Sequence, residues 1–238
     1  MTTPLASYGK KMFWGAGPKM SKKVLILVEG RSEEGFVKQV LSPYLLSKSV
    51  YVIPKIIITK KVIQGPDYKG GISSYSQVKR DIRPLLNDTS ADIVTTMIDY
   101  YALPIDFPGY DNRPQGTCYS RVQHIEDRFN EDINNLKFIP YLQLHEFEAL
   151  VFACEEQLPL AFINLDTQIQ EISAINKKVN SPEEINDNPK TAPSKRLENI
   201  FPEYQKVYHS QLVLSQSNID DIRSKCPHFN SWLSKLEN

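Results

Sequence analysis

The sequence predicts an α/β fold: a mostly parallel sheet covered by helices on both faces, followed by a helical C-terminal extension. Three observations lead there. Residues 24–28 form a short continuous apolar run and residues 92–98 a run rich in β-branched residues, as in strands buried on both faces, and each leads into an acidic residue. Segments of helical period alternate with these runs. From residue 155 onward no strand pattern recurs.

Taken in order, residues 24–28 (Val-Leu-Ile-Leu-Val) form the first strand and end at Glu29-Gly30. A helix follows, with Ser32 as its N-cap, Glu33 and Glu34 in its first turn, and Phe36, Val37, Val40 and Leu41 on one face. Pro43 kinks or ends it. A second strand is expected over 50–59, then a loop bracketed by Gly65-Pro66 and Gly70-Gly71. Residues 74–86 read as a helix with Val78, Ile82 and Leu85 inward. The third strand, 92–98, runs into Asp99, and a long Pro-, Gly- and Asp-rich loop occupies 102–116. A helix over 120–130 and a fourth strand over 138–144 come next; Pro140 assigns that strand to an edge. The expected division is a flexible extension at 1–20, an α/β domain at 21–154, and a helical extension at 155–238 packed on it.

Composition narrows the function. The 28 basic and 28 acidic side chains cancel, so the chain lacks the general basicity of a non-specific nucleic-acid binder. Three widely spaced cysteines suggest neither a disulfide framework nor a zinc site, and fit a reducing cytoplasm. No apolar run is long enough to span a membrane.

The acidic residues share one topological property. Glu29 ends the first strand, Asp99 ends the third, and Glu146 and Glu148 follow the fourth. Ligands of open parallel sheets bind beyond the strand carboxyl ends. Carboxylates converging there repel one another, and a hard divalent cation, Mg²⁺ or Mn²⁺, resolves the conflict. Gly30 permits close backbone approach, and Ser32 stands at a helix start suited to phosphate. Lys190, Lys195 and Arg196 form the densest basic cluster. It reads equally as a phosphate grip or as a solvated helix start with Ser194 as N-cap. Tyr100, Tyr101 and Phe107 suit loop packing better than base stacking, and Phe229 with Trp232 suits the anchor of a last helix.

Several segments together resemble a known group. Val28-Glu-Gly-Arg-Ser-Glu33, Met97-Ile-Asp-Tyr-Tyr-Ala-Leu-Pro104 with Asp106-Phe-Pro-Gly109, and Pro140-Tyr-Leu-Gln-Leu-His-Glu-Phe-Glu148 are similar to an uncharacterised bacterial Toprim-related family. Ala192-Pro-Ser-Lys-Arg-Leu197 and the stretch from Ile222 to Trp232 resemble its closing motifs. The resemblance implies a Toprim-like fold, as in topoisomerases, primases and overcoming-lysogenization-defect nucleases. There a glutamate after the first strand and an Asp-x-Asp after the third hold Mg²⁺. Glu29 and Asp99 match, whereas Tyr101 stands where the second aspartate is expected, so either Glu146 or Glu148 supplies that charge, or the site binds metal weakly or not at all. The resemblance further implies a Mg²⁺- or Mn²⁺-dependent nuclease acting on DNA or RNA. It would be the cytoplasmic partner of an ABC/AAA-type ATPase in phage or plasmid defence. A degenerate Toprim-fold subunit that regulates such an ATPase is the alternative. The neutral charge then calls for the ATPase or a homo-oligomer to strengthen substrate binding.

Overall fold

A computed structural model describes residues 21–58, 72–101, 103–163, 166–185, 188 and 190–238. The expected N-terminal extension and the Gly65–Gly71 loop, with Lys60 and Lys61, lie outside the described residues. Five parallel strands form the sheet: β1 (Lys22–Val28), β2 (Val50–Ile56), β3 (Ile93–Asp99), β4 (Phe138–Ile139) and β5 (Leu142–Gln143). Their order is β2-β1-β3-β4, with β5 also on β3. The chain leaves β1 toward β2 on one side and later returns to place β3 on the other. The switch in direction therefore falls between β1 and β3, where a parallel sheet opens a crevice at its carboxyl edge. The arrangement, helices on both faces and a helical C-terminus included, is consistent with a Toprim-like fold.

Alternation along β1 divides the core. Val24, Ile26 and Val28 face one side with Phe36, Leu41, Leu45, Phe147, Phe229 and Trp232. Leu25 and Leu27 face the other with Val78, Ile82, Val122, Ile125 and Phe129. The first side is closed by α1 (Arg31–Phe36), α2 (Ser42–Leu46) and the C-terminal helices; the second by α3 (Tyr75–Leu86) and α4 (Cys118–Ile133). Beyond α5 (Ala149–Ala153) the chain continues as α6 (Asp166–Asn176), α7 (Pro193–Ile200), α8 (Lys206–Ser215), α9 (Ile219–Lys225) and α10 (Pro227–Glu237). Residues 155–238 thus supply part of the same core that β1 enters.

Local chemistry explains where elements depart from the sequence reading. Pro43 does not end its helix. A single π-helical turn, Val37–Leu41, joins α1 to α2 and absorbs the donor and space that proline denies. Ser32 is not the N-cap. Gly30 holds that position with an extended backbone, and Ser32 lies inside the helix, 3% exposed. Ser194 is likewise inside α7, behind the cap residue Ala192 and Pro193. Pro54 sits in β2, an edge strand, where its missing N–H costs no ladder bond.

The expected fourth strand is split, because Pro140 cannot donate to the ladder. Thr96 on β3 bridges the gap: Tyr141 N donates to Thr96 Oγ1 at 3.0 Å, and Thr96 Oγ1 donates to Tyr141 O at 2.8 Å. Its neighbour Thr95 accepts from Trp232 Nε1 at 2.9 Å, fastening α10 to the sheet. Glu183 accepts from His228 N and Phe229 N, capping α10 with a fully buried carboxylate. Among the described residues no helix is long and apolar enough to cross a membrane.

Replacing Thr96 with Val keeps the shape and strands the buried Tyr141 N–H. Chemical denaturation is expected to show a loss of about 1–3 kcal/mol, with a smaller loss for Thr96→Ser, which keeps the hydroxyl.

Candidate carboxylate site at the sheet edge

The carboxyl ends of β1 and β3 deliver Glu29 and Asp99 side by side. Glu29 N donates to Met97 O at 3.3 Å, extending the β1–β3 ladder by one bond. Asp99 N then donates to Glu29 Oε2 at 3.2 Å. The first strand's acidic side chain is held by the backbone of the third.

The segment after β5 supplies the next group. His145 adopts φ 58°, a left-handed conformation that histidine tolerates better than β-branched residues do. The bend that it makes brings Phe147 N to Asp99 Oδ1 at 2.8 Å. Tyr101 N donates to His145 O at 2.8 Å from the opposite side. Glu148 follows, 0% exposed. Its Oε1 has the Lys206 ammonium at 3.1 Å; its Oε2, equally buried, has no hydrogen-bond partner among the described residues.

Glu29, Asp99 and Glu148 thus meet at one edge of the sheet. Two residues that the sequence reading did not assign to the site join them. Glu33, in the first turn of α1, is 3% exposed and repels both Glu29 and Asp99. Lys206, the first residue of α8, lies 4.0 Å from Asp99 Oδ2 as well as against Glu148. Neither carries a local signal: Glu33 reads as an ordinary first-turn acid, and Lys206 is 58 positions beyond Glu148.

Glu146 lies close enough to repel Glu148, but one of its oxygens is engaged at α7. Its Oε2 accepts from Ser194 N at 2.8 Å at the start of α7, so of the two glutamates left open, Glu148 is the one joined to the cluster. The basic cluster is partly consumed. Lys195 pairs with Glu198 at 2.6 Å, and Arg196 Nε donates to Thr191 O at 2.6 Å, while Lys190 is exposed. Tyr100 and Phe107 are buried and pack the loop, and Arg113 holds it by donating to Tyr100 and lying over the Tyr110 ring.

Among the described residues the carboxylates of Glu29, Glu33, Asp99 and Glu148, with Glu146 nearby, outnumber the Lys206 ammonium in a poorly solvated place. Burial, with repulsion from Glu33, pushes Glu29 up to about 7. Burial pushes Glu148 up to about 7 even against the attraction of Lys206, and it holds Asp99 well above the usual carboxylate range. Burial alone would depress Lys206, but Glu148, Asp99 and Glu33 outweigh it and raise its pKa. Among the described residues no group of three or more His, Cys, Asp or Glu side chains is already set at metal-holding positions. The donors themselves are all carboxylate oxygens, the type that hard divalent cations take.

The folded protein holds the Glu148 proton more tightly than the unfolded chain does. Ionisation of Glu148 therefore costs stability as pH rises from 4.5 to about 7. In chelator-treated protein, Glu148→Gln is expected to melt above wild type at pH 8, by a margin on the order of 2 kcal/mol, and close to it at pH 4.5. Thermal melts at the two pH values check this; equal margins at both would contradict it.

No curated protein and no solved structure matches the chain. Its residues 28–237 match the domain of unknown function DUF4276, and the chain belongs to that family.

Proposed function

We propose that the chain is a divalent-metal-dependent nuclease hydrolysing phosphodiester bonds of DNA or RNA. On this reading it is a cytoplasmic effector that works with an ABC/AAA-type ATPase in phage or plasmid defence. The observation that carries the reading is the convergence of Glu29, Asp99 and Glu148 at the switch point of a parallel sheet, with Glu148 Oε2 buried and lacking a hydrogen-bond partner. A buried carboxylate oxygen with no donor is costly, and a Mg²⁺ or Mn²⁺ ion is a natural occupant for it. The resemblance of the Glu29 and Asp99 segments to Toprim motifs supports the same reading, and supplies the ATPase and the defence role.

Each side chain then has a task. Asp99 would be the principal metal ligand, oriented by the bond from Phe147 N to its Oδ1. Glu148 adds the second carboxylate. Glu29, with a pKa near neutrality, holds or releases a proton beside the scissile phosphate as general acid and base. The metal, when bound, stabilises negative charge on the phosphate and orients the attacking oxygen. Lys190 and Lys195, with Arg196, serve the nucleic-acid backbone.

A second reading is favoured by one observation: Tyr101 stands where a second aspartate is expected, and its backbone is committed to His145. The chain is then a degenerate Toprim-fold subunit that regulates the ATPase.

Cleavage of single- and double-stranded nucleic acid with Mn²⁺ or Mg²⁺, alone and with the ATPase, separates the two. The nuclease reading expects cleavage that Glu29→Gln and Asp99→Asn each reduce by about 100-fold or more. No metal-dependent cleavage, or only cleavage that neither substitution changes, supports the regulatory subunit.

A further inference from the structure

Among the described residues, the cation in the carboxylate cluster does not come from the sheet. Lys206 is the first residue of α8, delivered by the C-terminal half of the chain. Its ammonium lies 3.1 Å from Glu148 Oε1 and 4.0 Å from Asp99 Oδ2, spanning the two carboxylates assigned above as ligands. Exposure is asymmetric across this contact. Glu148 is 0% exposed and cannot reach water, whereas the Lys206 side chain is 44% exposed and its flexible stem opens onto solvent. The movable partner is therefore the lysine.

Charge points the same way. Among the described residues, Glu29, Glu33, Asp99 and Glu148 share the Lys206 ammonium, and Glu148 Oε2 has no hydrogen-bond partner. A divalent ion brings twice the charge and can take oxygens that a lysine leaves unpaired. An ammonium and a divalent cation a few ångströms apart repel each other, so each weakens the other's hold on Glu148 and Asp99.

We propose that Lys206 is the resident counter-cation of this pocket and competes with the divalent metal for it, so that metal is held by Glu148 and Asp99 only after the ammonium withdraws. The inference rests on the metal site proposed above. It makes the C-terminal half a gate on metal loading: whatever shifts α8, a partner or a nucleic acid, changes metal affinity without touching a ligand.

Calorimetric titration of the full chain with Mn²⁺ alone tests it, in wild type, Lys206→Met and Lys206→Arg. Removing the charge is expected to tighten Mn²⁺ binding about tenfold or more, whereas arginine, which keeps it, stays near wild type. The thermal shift on adding Mn²⁺ grows in parallel for Lys206→Met. A second measurement needs no variant. Lysine methylation of wild type, read by mass spectrometry, is expected to modify Lys206 faster with saturating Mn²⁺ than without, relative to exposed Lys48. Unchanged or weaker Mn²⁺ binding in Lys206→Met, or unchanged or slower Lys206 labelling, with wild type still binding metal, overturns the competition and leaves the metal site standing. Absence of Mn²⁺ binding in all three proteins overturns both.

Discussion

Mutual repulsion among buried carboxylates is the constraint around which this molecule is arranged. The switch point between β1 and β3 brings Glu29 and Asp99 into contact, and the segment after the turn at His145 adds Glu148. Ionised and unpaired, such a group would be expensive. The structure meets the cost in three ways. Backbone N–H groups of Asp99 and Phe147 donate into the cluster, Lys206 brings a positive charge, and protons are held up to about neutral pH on Glu29 and Glu148. All three are partial. Glu148 Oε2 still lacks a partner among the described residues, and that residual cost is what a divalent ion would relieve.

The same constraint explains why the C-terminal half is integral to the sheet. Lys206 reaches the cluster only if α8 is seated against α1, and α8 is part of a layer that shares its core with β1. That layer is tied down by polar contacts at long sequence separation. Trp232 donates to Thr95, His228 meets Glu126, and Glu183 caps α10. Glu126 also accepts from Leu142 N, so one carboxylate joins α4, β5 and α10. These contacts hold the edge of the sheet firm next to the site, where β4 and β5 are only two residues each.

Much of the sheet was legible because strands buried on both faces write themselves as apolar runs. The runs before Glu29 and Asp99 are such strands, and their acidic ends mark the sheet edge. Pro140 pointed to an edge strand, but its rescue by Thr96 depends on a side chain 44 residues earlier and has no local pattern. Ser32 and Ser194 look like caps by residue type. Gly30 and Ala192 take the positions: a Cβ at the first would press on Glu33 Oε2 at 3.3 Å, and Pro193 sets the first helical residue at the second. Glu146 and Glu148 were indistinguishable in sequence, since only the turn at His145 decides which enters the cluster. Lys206 was invisible. Its role arises from where α8 docks, and neither charge pattern nor spacing records that.

The account stands or falls on whether the carboxylates and a divalent ion share one place. A crystal of the full chain soaked in Mn²⁺ and recorded at the manganese absorption edge answers this directly. The account predicts a single anomalous peak bounded by Glu29, Asp99 and Glu148, with the Lys206 ammonium withdrawn from Glu148. A fully soaked crystal with no peak there, and Lys206 still paired to Glu148, would contradict it.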